Sequence, residues 1–146
     1  MISDLFIPAT NKSPEICLSA NGKLTISGRC IPYEPDDFFA PVMEWASGYC
    51  LEPAEETVID LSIEYINCTN SGKLYRFLKK LKEGTLPCKK LVINFIYETD
   101  DDFMEDYGHD LSERLALPVT MNPVEKLTAP VTVKAPPYKS IEPPSE

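Results

Sequence analysis

Between Thr57 and Asn67 the chain alternates with a period of two: Ile59, Leu61, Ile63 and Tyr65 fall on one side, and Asp60, Ser62 and Glu64 on the other. Successive side chains of a strand point to opposite faces, so this run is a strand covered on one face and wet on the other. Directly after it, Leu74, Phe77, Leu78 and Leu81 recur at helical spacing, with Lys73, Arg76, Lys79, Lys80 and Lys82 elsewhere on the same helix and Gly84 expected to stop it. A strand that passes without a spacer into an amphipathic helix is half of a parallel crossover, and it restricts the chain to folds in which helices pack on a sheet.

The flanking segments extend that unit. Ile16-Cys17-Leu18-Ser19 and Lys23-Leu24-Thr25-Ile26-Ser27 enclose Ala20-Asn21-Gly22, where Asn-Gly supplies the backbone that a tight hairpin needs. Phe38, Phe39, Val42, Met43, Trp45, Ala46 and Tyr49 predict a helix from about Asp36 to Cys50, with Asp36 and Asp37 at its positive end. Lys89–Glu98 reads as a more central strand, and Val119-Thr120-Met121 as an optional final one. Asp101–Leu115 reads as a third helix that buries Met104, Tyr107, Leu111 and Leu115 and is capped by Thr99 with Asp102 as its partner. The order β-β-α-β-α-β-α(-β) predicts an α/β domain, a mixed four- or five-stranded sheet with three main helices, over residues 1–125. Half of the 14 prolines lie at or beyond Pro118, so residues 126–146 read as a flexible Pro-rich C-terminal tail, in which Val131-Thr132-Val133 could add an edge strand.

Charge and composition narrow the function. With 23 acidic against 14 basic residues the net charge is −9, which disfavours a nucleic-acid partner. The apolar runs are broken by Asp60, Glu64 or Asn94 before they reach membrane length, so no membrane insertion is expected. Met1-Ile2-Ser3-Asp4-Leu5 lacks the features of an export signal, and the expected location is the cytoplasm. Cys17, Cys30, Cys50, Cys68 and Cys88 form no CxxC and read as reduced thiols; with His109 as the single histidine, neither a metal nor another cofactor is expected. The acidic run Glu98, Asp100, Asp101, Asp102, Glu105 and Asp106 lacks the glycine and the ligand spacing of a calcium loop and reads as a solvated helix start or an acidic docking patch.

Chemistry concentrates in Asn67-Cys68-Thr69-Asn70-Ser71-Gly72-Lys73, where a strand ends and a helix begins. Free backbone amides and the helix dipole stabilise an anion at such a junction, so these residues form a candidate phosphoacceptor or binding loop. A plainer reading has Thr69, Asn70 or Ser71 only capping the helix and Lys73 as a solvated lysine. The glycine spacing of a Walker A loop is absent. Cys68 has the position of an activated thiol but no evident base, and reads as a small residue packed beneath the loop. Arg29, after Gly28 at a strand end, is a candidate contact for a carboxylate or phosphate, or a salt-bridged loop residue. Phe38, Phe39, Trp45 and Tyr49 read mostly as core.

Four short signatures in consistent order carry a family resemblance: Ser13-Pro14-Glu15-Ile16, Gly28-Arg29-Cys30-Ile31-Pro32, Asp37-Phe38-Phe39-Ala40-Pro41 with Trp45, and Tyr65-Ile66-Asn67. Over about residues 5–120 the chain resembles the SiaC family of bacterial regulatory phosphoproteins, whose fold is similar to that of STAS domains. The resemblance implies a phosphorylation-controlled partner switch rather than an enzyme. In its unphosphorylated form it would bind and activate a GGDEF diguanylate cyclase, with a SiaB-type protein kinase to inactivate it and a SiaA-type, PP2C-like phosphatase to restore it. The family's acceptor threonine follows the asparagine at the strand end, but here one extra residue separates Asn67 from Lys73. Aligned on the helix, the acceptor is Thr69, with Ser71 as the alternative; aligned on the strand, Cys68 takes the place. The partner-binding surface implied is Arg29, Asn67, Cys68, Thr69, Asn70, Ser71 and Lys73. Competing readings are a constitutive binding or scaffold domain and, further off, a small cysteine-dependent enzyme.

Overall fold

The structure, a computed structural model, describes residues 2–133, so the greater part of the expected flexible tail, 134–146, lies outside the described residues. The elements run β1 (Leu5–Ile7), β2 (Glu15–Leu18), β3 (Lys23–Cys30), α1 (Pro35–Tyr49), β4 (Glu56–Ile66), α2 (Cys68–Thr85), β5 (Lys90–Glu98), α3 (Asp102–Leu115) and β6 (Thr120–Val124). The strands form one mixed sheet in the order β1-β2-β3-β4-β5-β6, with antiparallel pairing from β1 to β3 and parallel pairing from β3 to β6. Each parallel step is bridged by one helix, and a uniform crossover hand places all three on the same face.

The α/β class and the three helices are as the sequence predicts, while among the described residues the sheet has six strands rather than four or five. The additional strand is β1, whose three residues pair with β2 and are too few to show an alternation. The optional last strand forms as β6 and carries Pro123, which an edge position tolerates. The hairpin turns at Gly22, whose φ of 99° suits a residue without a side chain.

Thr57, Ile59, Leu61 and Ile63 of β4 are fully buried, and Leu74, Phe77, Leu78 and Leu81 of α2 pack in the same core. The alternation inferred for Tyr65 does not hold. In the pairing with β3, Gly28 faces Ile63 and Arg29 faces Tyr65, so Glu64 is an extra, unmatched residue. This bulge exchanges the two faces of the strand, leaving Tyr65 47% exposed and turning Ile66 inward. Periodicity cannot reveal such an insertion, because it comes from the register with the neighbouring strand.

The helix ends also differ from expectation. Thr99 does not cap α3: its N–H and hydroxyl both donate to the carbonyl of Val124, and the carboxylate of Asp101 accepts from the Met104 N–H at 3.1 Å. Tyr107 is half-buried, and Gly108 takes the fully packed place against Phe95 and Met121. Gly84 does not stop α2, which continues to Thr85; its missing side chain makes room for Cys50 at the end of α1. Pro41 lies inside α1, where no helix stop follows.

Two polar contacts hold α1 in place. The Trp45 indole donates to the Ser3 carbonyl at 2.8 Å, and the hydroxyls of Tyr49 and Thr57 share a buried hydrogen bond of 2.7 Å. After β6 the chain crosses the helix-free face. The Leu127 N–H donates to Glu98 Oε2, Pro130 lies against Gly28, and the Val133 N–H donates to the Ala9 carbonyl at 2.7 Å. Val131-Thr132-Val133 contributes a single parallel bridge, Thr132 with Ala9, rather than an edge strand.

Leu78 is fully buried between α2 and the sheet. Leu78→Ala should therefore cost about 2–5 kcal/mol in chemical denaturation, and an unchanged midpoint would contradict this packing.

Candidate functional site

Parallel strands β3 and β4 both deliver their carboxyl ends into helices, so the amino termini of α1 and α2 open at the same edge of the domain. Asn67 leaves β4 in an extended conformation (φ −98°, ψ 173°) and caps α2. Its Oδ1 accepts from the Asn70 N–H at 3.0 Å and from Asn70 Nδ2 at 2.8 Å, while its carbonyl accepts the Ser71 N–H. The cap role considered for Thr69, Asn70 or Ser71 thus falls to Asn67, the last residue before the helix. Asn70 is fully buried and supports the surface from beneath instead of forming part of it.

This cap leaves Cys68 and Thr69 exposed in the first turn, where backbone amides have no intrahelical acceptor. Ser71 is half-buried as a residue, and its hydroxyl donates to the Cys68 carbonyl at 2.9 Å in an exposed hydrogen bond. The expectation that Cys68 packs beneath the loop is corrected: Ile66 and Asn70 occupy that space because the bulge at Glu64 turns Ile66 inward. Arg29 is exposed at the end of β3, in register with Tyr65.

No acidic residue lies in the first turn of α2. Lys73, one turn from Thr69, forms an ion pair with Asp36 in the first turn of α1. Hydrogen bonding and charge from Lys73 hold the Asp36 carboxyl below its ordinary range, with a smaller attraction from Arg76. Glu34, just before α1, is pushed up by sharing a hydrogen bond with Asp37. Sequence reasoning identified both Lys73 and Asp36 but not their pairing, since 36 residues separate them and no local signal joins the two helix starts.

Burial sets the state of three of the five thiols. Burial pushes Cys30 up to about 12 and raises Cys17 and Cys50, which favours neutral thiols at all three. Cys68 is exposed on α2 and His109 is exposed on α3. Among the described residues no cluster of three or more His, Cys, Asp or Glu side chains could hold a metal ion. In the acidic run, Asp101 caps α3 and Glu98 accepts from the Leu127 N–H. No helix of the described residues is long and apolar enough to cross a membrane.

A mixed sheet covered by helices on one face, with an exposed hydroxyl at a capped helix start beside an interhelical ion pair, defines an α/β domain whose exposed helix start has the backbone character of an anion site. Residues 7–124 match the model of the SiaC family regulatory phosphoproteins, and the chain belongs to that family. Similar solved structures include apo-SiaC from Pseudomonas aeruginosa, which is 20% identical, with a TM-score of 0.71 over 83% of this chain and 99% of that one. A chain in the crystal structure of the diguanylate cyclase SiaD in complex with its activator SiaC, from the same organism, is also 20% identical, with a TM-score of 0.77 over 83% of this chain and 100% of that one. No curated protein matches the chain.

Asn67→Ala removes the cap and the acceptor of Asn70 Nδ2, and should cost about 0.5–2 kcal/mol in urea unfolding. Asn67→Asp keeps an acceptor for both bonds and should remain within a few tenths of a kcal/mol of the parent. Equal losses in the two variants would show that the side-chain oxygen is not what holds the helix start.

Proposed function

We propose that this protein is a phosphorylation-controlled partner switch: unphosphorylated, it binds and activates a GGDEF diguanylate cyclase in the cytoplasm, and phosphorylation of Thr69 ends that binding. It acts on an enzyme and is not one itself. A SiaB-type kinase adds the phosphate and a SiaA-type, PP2C-like phosphatase removes it. Family membership supports the reading, as does the likeness to a chain from the complex of SiaD with its activator SiaC.

The observation that carries the reading is the exposure of Thr69 in the first turn of α2, with Asn67 rather than Thr69 providing the cap. A kinase can reach this hydroxyl without dismantling the helix start. The alternative acceptor, Ser71, is half-buried and donates to the Cys68 carbonyl, so its hydroxyl is already engaged. In this reading Cys68, Lys73 and the exposed side of Asn67 on the acceptor's own helix start, with Arg29 at the end of the neighbouring strand, form the partner surface.

Phosphate adds about −1.5 to −2 charges. Within the domain, the helix-start amides and dipole offset that charge, whereas a docked partner would have to desolvate it. The fold therefore persists while the partner leaves.

Titration of purified phosphorylated and unphosphorylated protein against the cyclase tests the switch directly. Phosphorylation should weaken binding at least about tenfold, or about 1.4 kcal/mol. T69A should fold, resist the kinase and retain binding, and T69D should fold but bind more weakly. Equal affinities of the two forms would remove the switch; phosphate found on Ser71 alone would move the acceptor.

A further inference from the structure

The ion pair between Lys73 and Asp36 joins the first turns of α2 and α1, and Lys73 follows Thr69 by four residues on one helix. Side chains at that spacing are neighbours, with about 5–6 Å between their Cβ atoms, and the flexible lysine stem can reach a phosphate on Thr69. Lys73 is thus within reach of two competing anions.

Asp36 is the weaker competitor. It offers one carboxylate whose side chain is 85% exposed, and an ion pair so placed is weak in water. A phosphate on Thr69 offers more charge and three strong acceptor oxygens at the positive end of α2. Arg76 attracts Asp36 more weakly than Lys73 does. On the α1 side stand Glu34, Asp36 and Asp37, so a phosphate that captures Lys73 also faces carboxylates it repels.

We propose that phosphorylation of Thr69 transfers Lys73 from Asp36 to the phosphate, so that modification unclasps the starts of α1 and α2. The inference rests on reading Thr69 as the acceptor and adds a conformational consequence. The signal leaves α2 and reaches a second element of the docking edge.

The test uses the full chain with phosphothreonine incorporated at position 69 during synthesis, so that neither the kinase nor the cyclase is involved. In carbon-13 NMR, Asp36 should titrate below its ordinary value, about 3.9, in the unmodified chain and return to or above it in the phosphorylated one. In phosphorus-31 NMR, the second ionisation of the phosphate should rise in pH when Lys73→Gln is added. An Asp36 titration that is the same in both chains would overturn the transfer, and so would a phosphate ionisation unchanged by Lys73→Gln. Lost cyclase binding with an unmoved Asp36 would sink the clasp and leave the switch standing, whereas a released Asp36 with unaltered cyclase affinity would support the clasp and sink the switch.

Discussion

One-sided burial of β4 organises this protein. Thr57, Ile59, Leu61 and Ile63 put their side chains under α1 and α2, and each apolar residue of this kind contributes about 1.5–3 kcal/mol when withdrawn from water. Because β3, β4 and β5 run parallel, each connection must return across the sheet, and the helices that make the return supply the cover. The same geometry opens the starts of α1 and α2 at one edge. The position of this edge is therefore a consequence of the way the core is closed.

A small irregularity in that strand shapes the surface. The unmatched Glu64 reverses the alternation for the last residues of β4, sending Tyr65 outward and Ile66 into the core. Asn67 then receives the chain at the helix start, and its two bonds to Asn70 hold the first turn. The exposed positions left over are Cys68 and Thr69. Support from beneath, through Ile66 and Asn70, lets the hydroxyl stay accessible without loosening the helix.

The helix start of α2 leaves a hydroxyl open to solvent. An accessible hydroxyl at a helix start can receive an anion that the backbone stabilises, whereas a nucleophile needs a positioned base. The buried thiols favour their neutral forms. The helix-free face takes a different course: its polar side chains, among them Asp60 accepting from Asn94, lie partly beneath the segment that follows β6. The domain thus keeps the exposed starts of α1 and α2 apart from the side closed by its own chain.

Much of the fold is legible in the sequence because it is written in local periodicity. The two-residue period of β4, the apolar stripe of α2 and the Asn21-Gly22 turn each reflect forces acting within a few residues. The junction at residues 67–73 is legible for the same reason, since a strand pattern ends where a helix pattern starts. Local pattern could not show β1, which exists because β2 offers it a partner, nor the bulge at Glu64, which is defined only by the register with β3. Nor could it show that Gly84 serves the approach of Cys50, or that Lys73 meets Asp36. Composition and spacing determined which elements form and which residues could bear chemistry; the packing of distant segments decided which of those residues are covered, which are exposed and which meet, because contact between them costs chain entropy that only the assembled core can offset.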